Sequence, residues 1–213
     1  RISVLPLGVD PVPDFRNADN FDEEVLKRNN IIKPYLLYVG VFQPRKNIEG
    51  MINAFRLFKK TDTGNVRLVL AGKTGWLYQK ICTAVQADEI TRTWVSWLGY
   101  VSDQEKWALY RNARALVFPS FYEGFGIPAV ESMKCGTPVL YANCSSLPEV
   151  VGEAGIGFDP YCTENMADAM SRIVNDDALH QSLHLKSIER SRNFSWDQSA
   201  HTLMTVLNTV GEG

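Results

Sequence analysis

The chain has 213 residues, 45% hydrophobic and 22% charged, the balance of an ordinary globular domain and too apolar for a disordered segment. Its 22 Lys and Arg against 24 Asp and Glu leave a net charge of −2, so no overall field gathers polyanions and no nucleic-acid partner is expected. Cys82, Cys135, Cys144 and Cys162 stand far apart, without metal-finger spacing, and read as reduced thiols of the cytoplasm.

No apolar run reaches the ~18 residues a bilayer crossing needs, and Arg1-Ile2-Ser3-Val4 is not a signal-peptide pattern. Ile2 to Leu7 reads as a strand entered in mid-course. With no initiator Met before it, the expectation is a piece of a longer protein. Asp10 to Asn30, with Pro11, Pro13 and the acidic Asp22-Glu23-Glu24, reads as a surface excursion leading into a short helix.

From there short apolar runs recur: Tyr35 to Val39, Val66 to Ala71, Trp94 to Leu98, Ala115 to Phe118 and Pro138 to Tyr141. Most are apolar at successive positions, the pattern of strands covered on both faces. Between the first two, Ile48, Met51, Ile52, Phe55 and Phe58 fall on one helical face, with Asn47 placed as N-cap. Ser102-Asp103-Gln104-Glu105 has capping-box spacing and predicts a helix to about Asn112. A further helix is expected from Pro128 to about Cys135, ended by Gly136. Ser146-Leu147-Pro148-Glu149 opens another, in which Glu149 reads as the capping partner of Ser146. The tail from Asp168 to Val210 is helical and expected on the flank of the sheet. This alternation implies an α/β fold with a Rossmann-like, doubly wound parallel sheet, whose ligands bind beyond the carboxyl ends of the strands.

Two loops there carry chemistry. Pro119 to Ile127 joins a strand to a helix N-terminus, so backbone N–H groups and the positive helix end can meet an anion. Gly124 and Gly126 permit close approach, and Glu123 and Glu131 suit sugar and ribose hydroxyls because a carboxylate accepts several hydrogen bonds. Glycines that only serve a turn, and a Glu131 that only complements the helix dipole, would explain the same stretch. In the second loop, Arg45-Lys46 precedes a helix after the first strand, where two cations would face a diphosphate.

The series Val4-Leu5-Pro6-Leu7-Gly8-Val9-Asp10, Tyr38-Val39-Gly40 with Arg45-Lys46-Asn47, Glu123-Gly124-Phe125-Gly126 through Glu131 as E-x7-E, Cys135-Gly136-Thr137-Pro138-Val139, Ser146-Leu147-Pro148-Glu149-Val150 and Phe194-Ser195-Trp196 resembles the retaining GT-B glycosyltransferases. The resemblance covers nearly the whole chain. It is narrowest to the family containing mannosyl- and glucosyltransferases of bacterial surface polysaccharides. It implies that residues 1–213 form the C-terminal, nucleotide-sugar-binding half of such an enzyme, paired elsewhere with an N-terminal acceptor domain.

By that resemblance, Lys46 and Arg45 take the donor diphosphate and Glu123 the hydroxyls of the transferred sugar. The backbone of Gly124, Phe125, Gly126 and Ile127 meets sugar and phosphate, Glu131 binds the ribose, and Gly99-Tyr100-Val101 holds the base. Gly40, Gly72 and Lys73 border the same crevice. The chain departs from the family at Val41, where many relatives have Arg. The implied partners are a nucleotide sugar such as GDP-mannose or UDP-glucose and a glycan or glycolipid acceptor, with no cofactor and no metal. The implied location is the cytoplasm, with peripheral contact at the inner membrane face left open. A nucleotide-sugar or partner-binding module without transfer, and an epimerase or hydrolase on the same scaffold, are the alternative readings.

Other signals are weaker. Gly72-Lys73-Thr74 imitates the end of a P-loop, but Arg67 stands where its first glycine is required. No G-x-G-x-x-G follows the first strand, and no D-x-D occurs. His180 and His184 are four apart but lack a third ligand, and read as a solvated helix face. Among the tryptophans, Trp76 in the loop after Gly75 is the one candidate for sugar stacking.

Overall fold

The computed structural model describes residues 4–5, 7–13, 20–76 and 79–211. After helix α1 (Phe21–Arg28) come β1 (Tyr35–Val39), a 3-10 turn at Pro44–Lys46, α2 (Ile48–Lys59) and β2 (Arg67–Ala71). Helices α3 (Gln79–Gln86) and α4 (Glu89–Trp94) lead to β3 (Val95–Gly99), then α5 (Asp103–Asn112), β4 (Ala115–Phe118), α6 (Ile127–Lys134) and β5 (Val139–Ala142). The chain continues through α7 (Leu147–Val151), a 3-10 turn at Gly152–Ala154, β6 (Gly155–Phe158), α8 (Thr163–Asn175), α9 (Asp177–Ser191) and α10 (Trp196–Gly211).

The six strands form one parallel sheet in the order β3-β2-β1-β4-β5-β6. This is the doubly wound arrangement, and the order reverses between β1 and β4, so their following loops diverge and leave a crevice at the carboxyl edge. All side chains of β1, β4 and β5 are buried, as their unbroken apolar runs require when helices cover both faces. Helix α2 packs on α8, α6 on α9 and α1 on α5. Burying a Leu, Ile or Phe side chain contributes about 1.5–3 kcal/mol, so strands such as Tyr35-Leu36-Leu37-Tyr38, all at 0% exposure, anchor the loops that they launch.

The structure corrects several expectations. Val4, Leu5 and Leu7 lie outside any strand, and Ile2, Ser3 and Pro6 fall outside the described residues. Asn47 does not cap α2 with its side chain; it sits in the left-handed region (φ 51°), and its Nδ2 donates to Pro160 O at 2.9 Å. The Ser146–Glu149 capping pair does not form, because the Ser146 hydroxyl bonds the carbonyls of Glu123 and Phe125 (2.9 and 3.0 Å). Strand β6 was not expected. In the tail, α8 and α9 pack against the body, whereas most of α10 is exposed and does not lie on the sheet. The capping box at Ser102 and the left-handed Gly136 (φ 73°) just beyond α6 are found as expected.

Candidate donor site

The site assembles at the switch point. Loop 40–46 after β1 and loop 119–126 after β4 come together because β1 and β4 are neighbours in the sheet. Lys46 and Glu123, read from sequence as separate ligands, form one buried ion pair, with Lys46 Nζ bonded to Glu123 Oε1. Arg45 Nη1 stands 3.4 Å from Glu123 Oε2 and donates to Tyr122 O at 2.9 Å. Its side chain is half-exposed. The two loops are stitched by Phe121 N donating to Arg45 O at 2.9 Å.

A third loop supports the carboxylate from behind. Ser145, held at φ 52°, accepts the Glu123 backbone N–H at 3.1 Å, and Ser146 bonds the Glu123 carbonyl. Sequence reading missed this support, since nothing in a serine pair announces a tertiary bond to a loop 22 residues away.

Gly126 (φ 105°) immediately precedes helix α6, which has Pro128 in its first turn and no side chain capping its N-terminus. Its positive end therefore faces the loop without a competing acceptor. A methyl group built on Gly124 would meet no atom within 4 Å, so this backbone is open to a ligand. Gly124 and Phe125 line a cavity of about 440 Å³ together with Ser146, Glu149 and Arg190.

Glu131, one turn into α6, is buried, with Lys106 Nζ at 2.8 Å from Oε1 and the Tyr110 hydroxyl at 3.0 Å from Oε2. Burial and the Glu131 charge push the Tyr110 phenol far above its usual range. Burial works against the Lys106 ammonium, but the Glu131 and Asp103 carboxylates outweigh it and raise its pKa. Glu131, Lys106, Asp103 and exposed Ile127 line a cavity of about 310 Å³ with Gly8 to Asp10. Gly99, Tyr100 and Val101 run directly into Ser102 and Asp103 at its edge. Lys106 and Tyr110 escaped the sequence reading; they lie four apart on α5, but only the fold brings that face to α6.

Gly40 and Gly72 end adjacent strands in contact, and a methyl group on Gly72 would lie 1.8 Å from Gly40 O. Gly40 N donates to Ala71 O and Gly72 N to Gly99 O (3.0 and 2.7 Å), so three strand ends leave the sheet as a tight row. Lys73 is turned sideways, with Nζ 4.5 Å from the centre of the exposed Tyr100 ring. Val41 is exposed beside this row.

Among the described residues, no group of three or more His, Cys, Asp or Glu is placed to hold a metal ion, and no helix is long and apolar enough to cross a membrane. His184 Nδ1 lies 2.7 Å from Gly136 O, and burial lowers the pKa of His180. All four cysteines are free, and burial pushes the Cys135 thiol up to about 12.

Residues 21–193 match the family described as glycosyl transferases group 1. The chain belongs to that family. Among related proteins, the O-antigen chain mannosyltransferase B of Escherichia coli is 38% identical over 164 residues, 76% of this chain and 42% of that protein. The sucrose-phosphate synthase of Thermosynechococcus elongatus superposes with a TM-score of 0.77 at 26% identity, over 99% of this chain and 53% of that one. A glycosyltransferase of Rickettsia africae superposes with a TM-score of 0.83 at 16% identity, over 96% and 56%. This group 1 glycosyltransferase chain thus has the Rossmann-like fold of the GT-B enzymes and spans about half the length of the three proteins just named.

Proposed function

We propose that the chain is the donor-binding half of a retaining, metal-independent hexosyltransferase that moves a hexose, mannose foremost, from a nucleoside-diphosphate sugar to a glycan or glycolipid hydroxyl. The observation that carries this reading is the Lys46–Glu123–Arg45 cluster at the switch point, its carboxylate in the loop that leads into the uncapped N-terminus of α6. Mannose is favoured by the 38% identity to a mannosyltransferase. The acceptor half lies outside this chain, and the enzyme works in the cytoplasm, where its donor is made.

In this reading the exposed side of Arg45, Lys46 and the α6 dipole stabilise the charge that grows on the leaving diphosphate. These fixed positive groups meet the need a metal ion would otherwise fill. Glu123 is already pinned by two cations, so it serves as hydrogen-bond acceptor to the sugar hydroxyls and not as a covalent nucleophile. The acceptor hydroxyl attacks the anomeric carbon from the face that the diphosphate leaves. The bond to the phosphate oxygen breaks as the new glycosidic bond forms, and the hydroxyl proton passes to the departing phosphate oxygen. Glu131 and the Gly99–Val101 loop hold ribose and base.

Glu123→Gln in the full-length enzyme removes a charged hydrogen bond worth about 1.5–3 kcal/mol, so transfer should fall about 10- to 100-fold. The variant should still bind free nucleoside diphosphate, since Lys46 and Arg45 remain. Unchanged transfer would remove Glu123 from the mechanism.

A further inference from the structure

A cavity between the start of α2 and α3 shares its two loops with the ion-pair cluster but none of the cluster's three side chains. It holds about 660 Å³, within the range of small-molecule sites, and its walls include Gln43, Glu49, Asn53, Trp76, Gln79 and Phe121. Trp76 is 62% exposed, an uncommon state for the largest apolar side chain, and its indole N–H donates to Gln43 Oε1 at 3.2 Å. That bond orients the ring and leaves the Gln43 amide N–H groups for another acceptor. Phe121 is stacked on Tyr161 at 4.9 Å and 20°, which fixes a second aromatic wall.

We propose that this cavity is a saccharide subsite that holds part of the glycan acceptor next to the donor; the assignment rests on the donor reading above. A pyranose presents an apolar C–H face ringed by hydroxyls. One oriented aromatic plane, three side-chain amides and a carboxylate match it in both donor and acceptor capacity. The position fits as well. Gln43 is two residues before Arg45 and Phe121 two before Glu123, and Phe121 N bonds Arg45 O, so the cavity is built on the same two loops as the ion-pair cluster. The cavity shares no lining residue with the one at Glu131, so a sugar seated there leaves the proposed ribose contacts free.

The test uses the full-length protein, with mannotriose and maltotriose as probes. Oxidation of Trp76 by N-bromosuccinimide should proceed in the free protein and slow when saccharide is added. Trp76→Ala, exposed and so compatible with folding, should weaken saccharide binding about tenfold in calorimetry, and Asn53→Leu should weaken it too. Nucleoside diphosphate affinity should stay within twofold of wild type in both variants. Trp76 that is unreactive before any saccharide is added would mean that protein covers the cavity, and would overturn the proposal. So would equal saccharide affinity in wild type and Trp76→Ala, or a protein that binds GDP or UDP but neither trisaccharide; that last result leaves the donor reading standing. Saccharide binding through Trp76 without any nucleotide binding would support the subsite and remove the donor reading instead.

Discussion

Lys46→Met isolates the energetic core of the site. The Lys46 and Glu123 side chains are 10% and 9% exposed, so removing the ammonium strands a carboxylate in a poorly hydrated place. Unit charges about 4 Å apart attract by about 4 kcal/mol at an effective dielectric of 20, and breaking a buried pair from one side costs about 3–5 kcal/mol. Arg45, at 3.4 Å and half in water, remains to solvate Glu123 and places the expected loss at the lower end, about 3 kcal/mol. For a domain of this size that lowers Tm by about 6–12 °C, yet leaves a typical stability of 5–15 kcal/mol partly intact. Glu123→Leu should also destabilise by leaving the ammonium unpaired. The double variant replaces both charges with apolar groups, and should recover at least about 2 kcal/mol of the summed losses. Urea unfolding of all four proteins, with unchanged m values, measures this coupling. If the two single losses add to within about 0.5 kcal/mol, the pair is not coupled and the buried-pair reasoning fails.

The glycine row gives a contrast of two substitutions. Gly72→Ala drives a methyl group into the Gly40 carbonyl at 1.8 Å and should cost about 3 kcal/mol or more, whereas Gly99→Ala meets no atom within 4 Å and bears only left-handed strain of about 1–2 kcal/mol; comparable losses in thermal unfolding would refute the close approach of the strand ends. Acid stability should follow carboxylates held below their usual range, among them Asp22 by hydrogen bonds from Arg111, Asp88 by the Thr91 N–H, and Glu105 by the Ser102 N–H. Groups with lowered folded-state pKa contribute stability above the ordinary carboxylate range near 4 and lose it as pH falls through their folded values. Unfolding free energy should therefore drop as pH falls below about 4, with a shallower drop in Asp22→Asn; parallel curves would contradict the Asp22–Arg111 assignment.

The sheet was legible because its buried strands are unbroken apolar runs, as in Tyr35 to Val39 and Ala115 to Phe118. Strand β6 was not, since Gly155-Ile156-Gly157-Phe158 has two glycines and pairs only with β5 at the sheet edge. Local signals held where the competing partners are also local, as at Ser102 and Glu105. They failed at Asn47 and Ser146, whose polar groups are claimed by carbonyls 113 and 23 residues distant. The same limit applied to the site. Its residue types and the two loops could be read, but not that Lys46 and Glu123 are each other's partner, nor that Lys106 and Tyr110 grip Glu131. Such pairings depend on strand order, which a single sequence encodes only through the complete fold.

The central claim is that the carboxyl edge between β1 and β4 binds a nucleotide-sugar donor. Calorimetric titration of the folded, full-length protein with GDP, UDP, ADP, GDP-mannose and UDP-glucose, with and without magnesium, tests it most directly. The account predicts selective binding of one base, independent of magnesium and weakened by Lys46→Ala. No binding across the panel, binding that requires magnesium, or equal affinity in Lys46→Ala would contradict it.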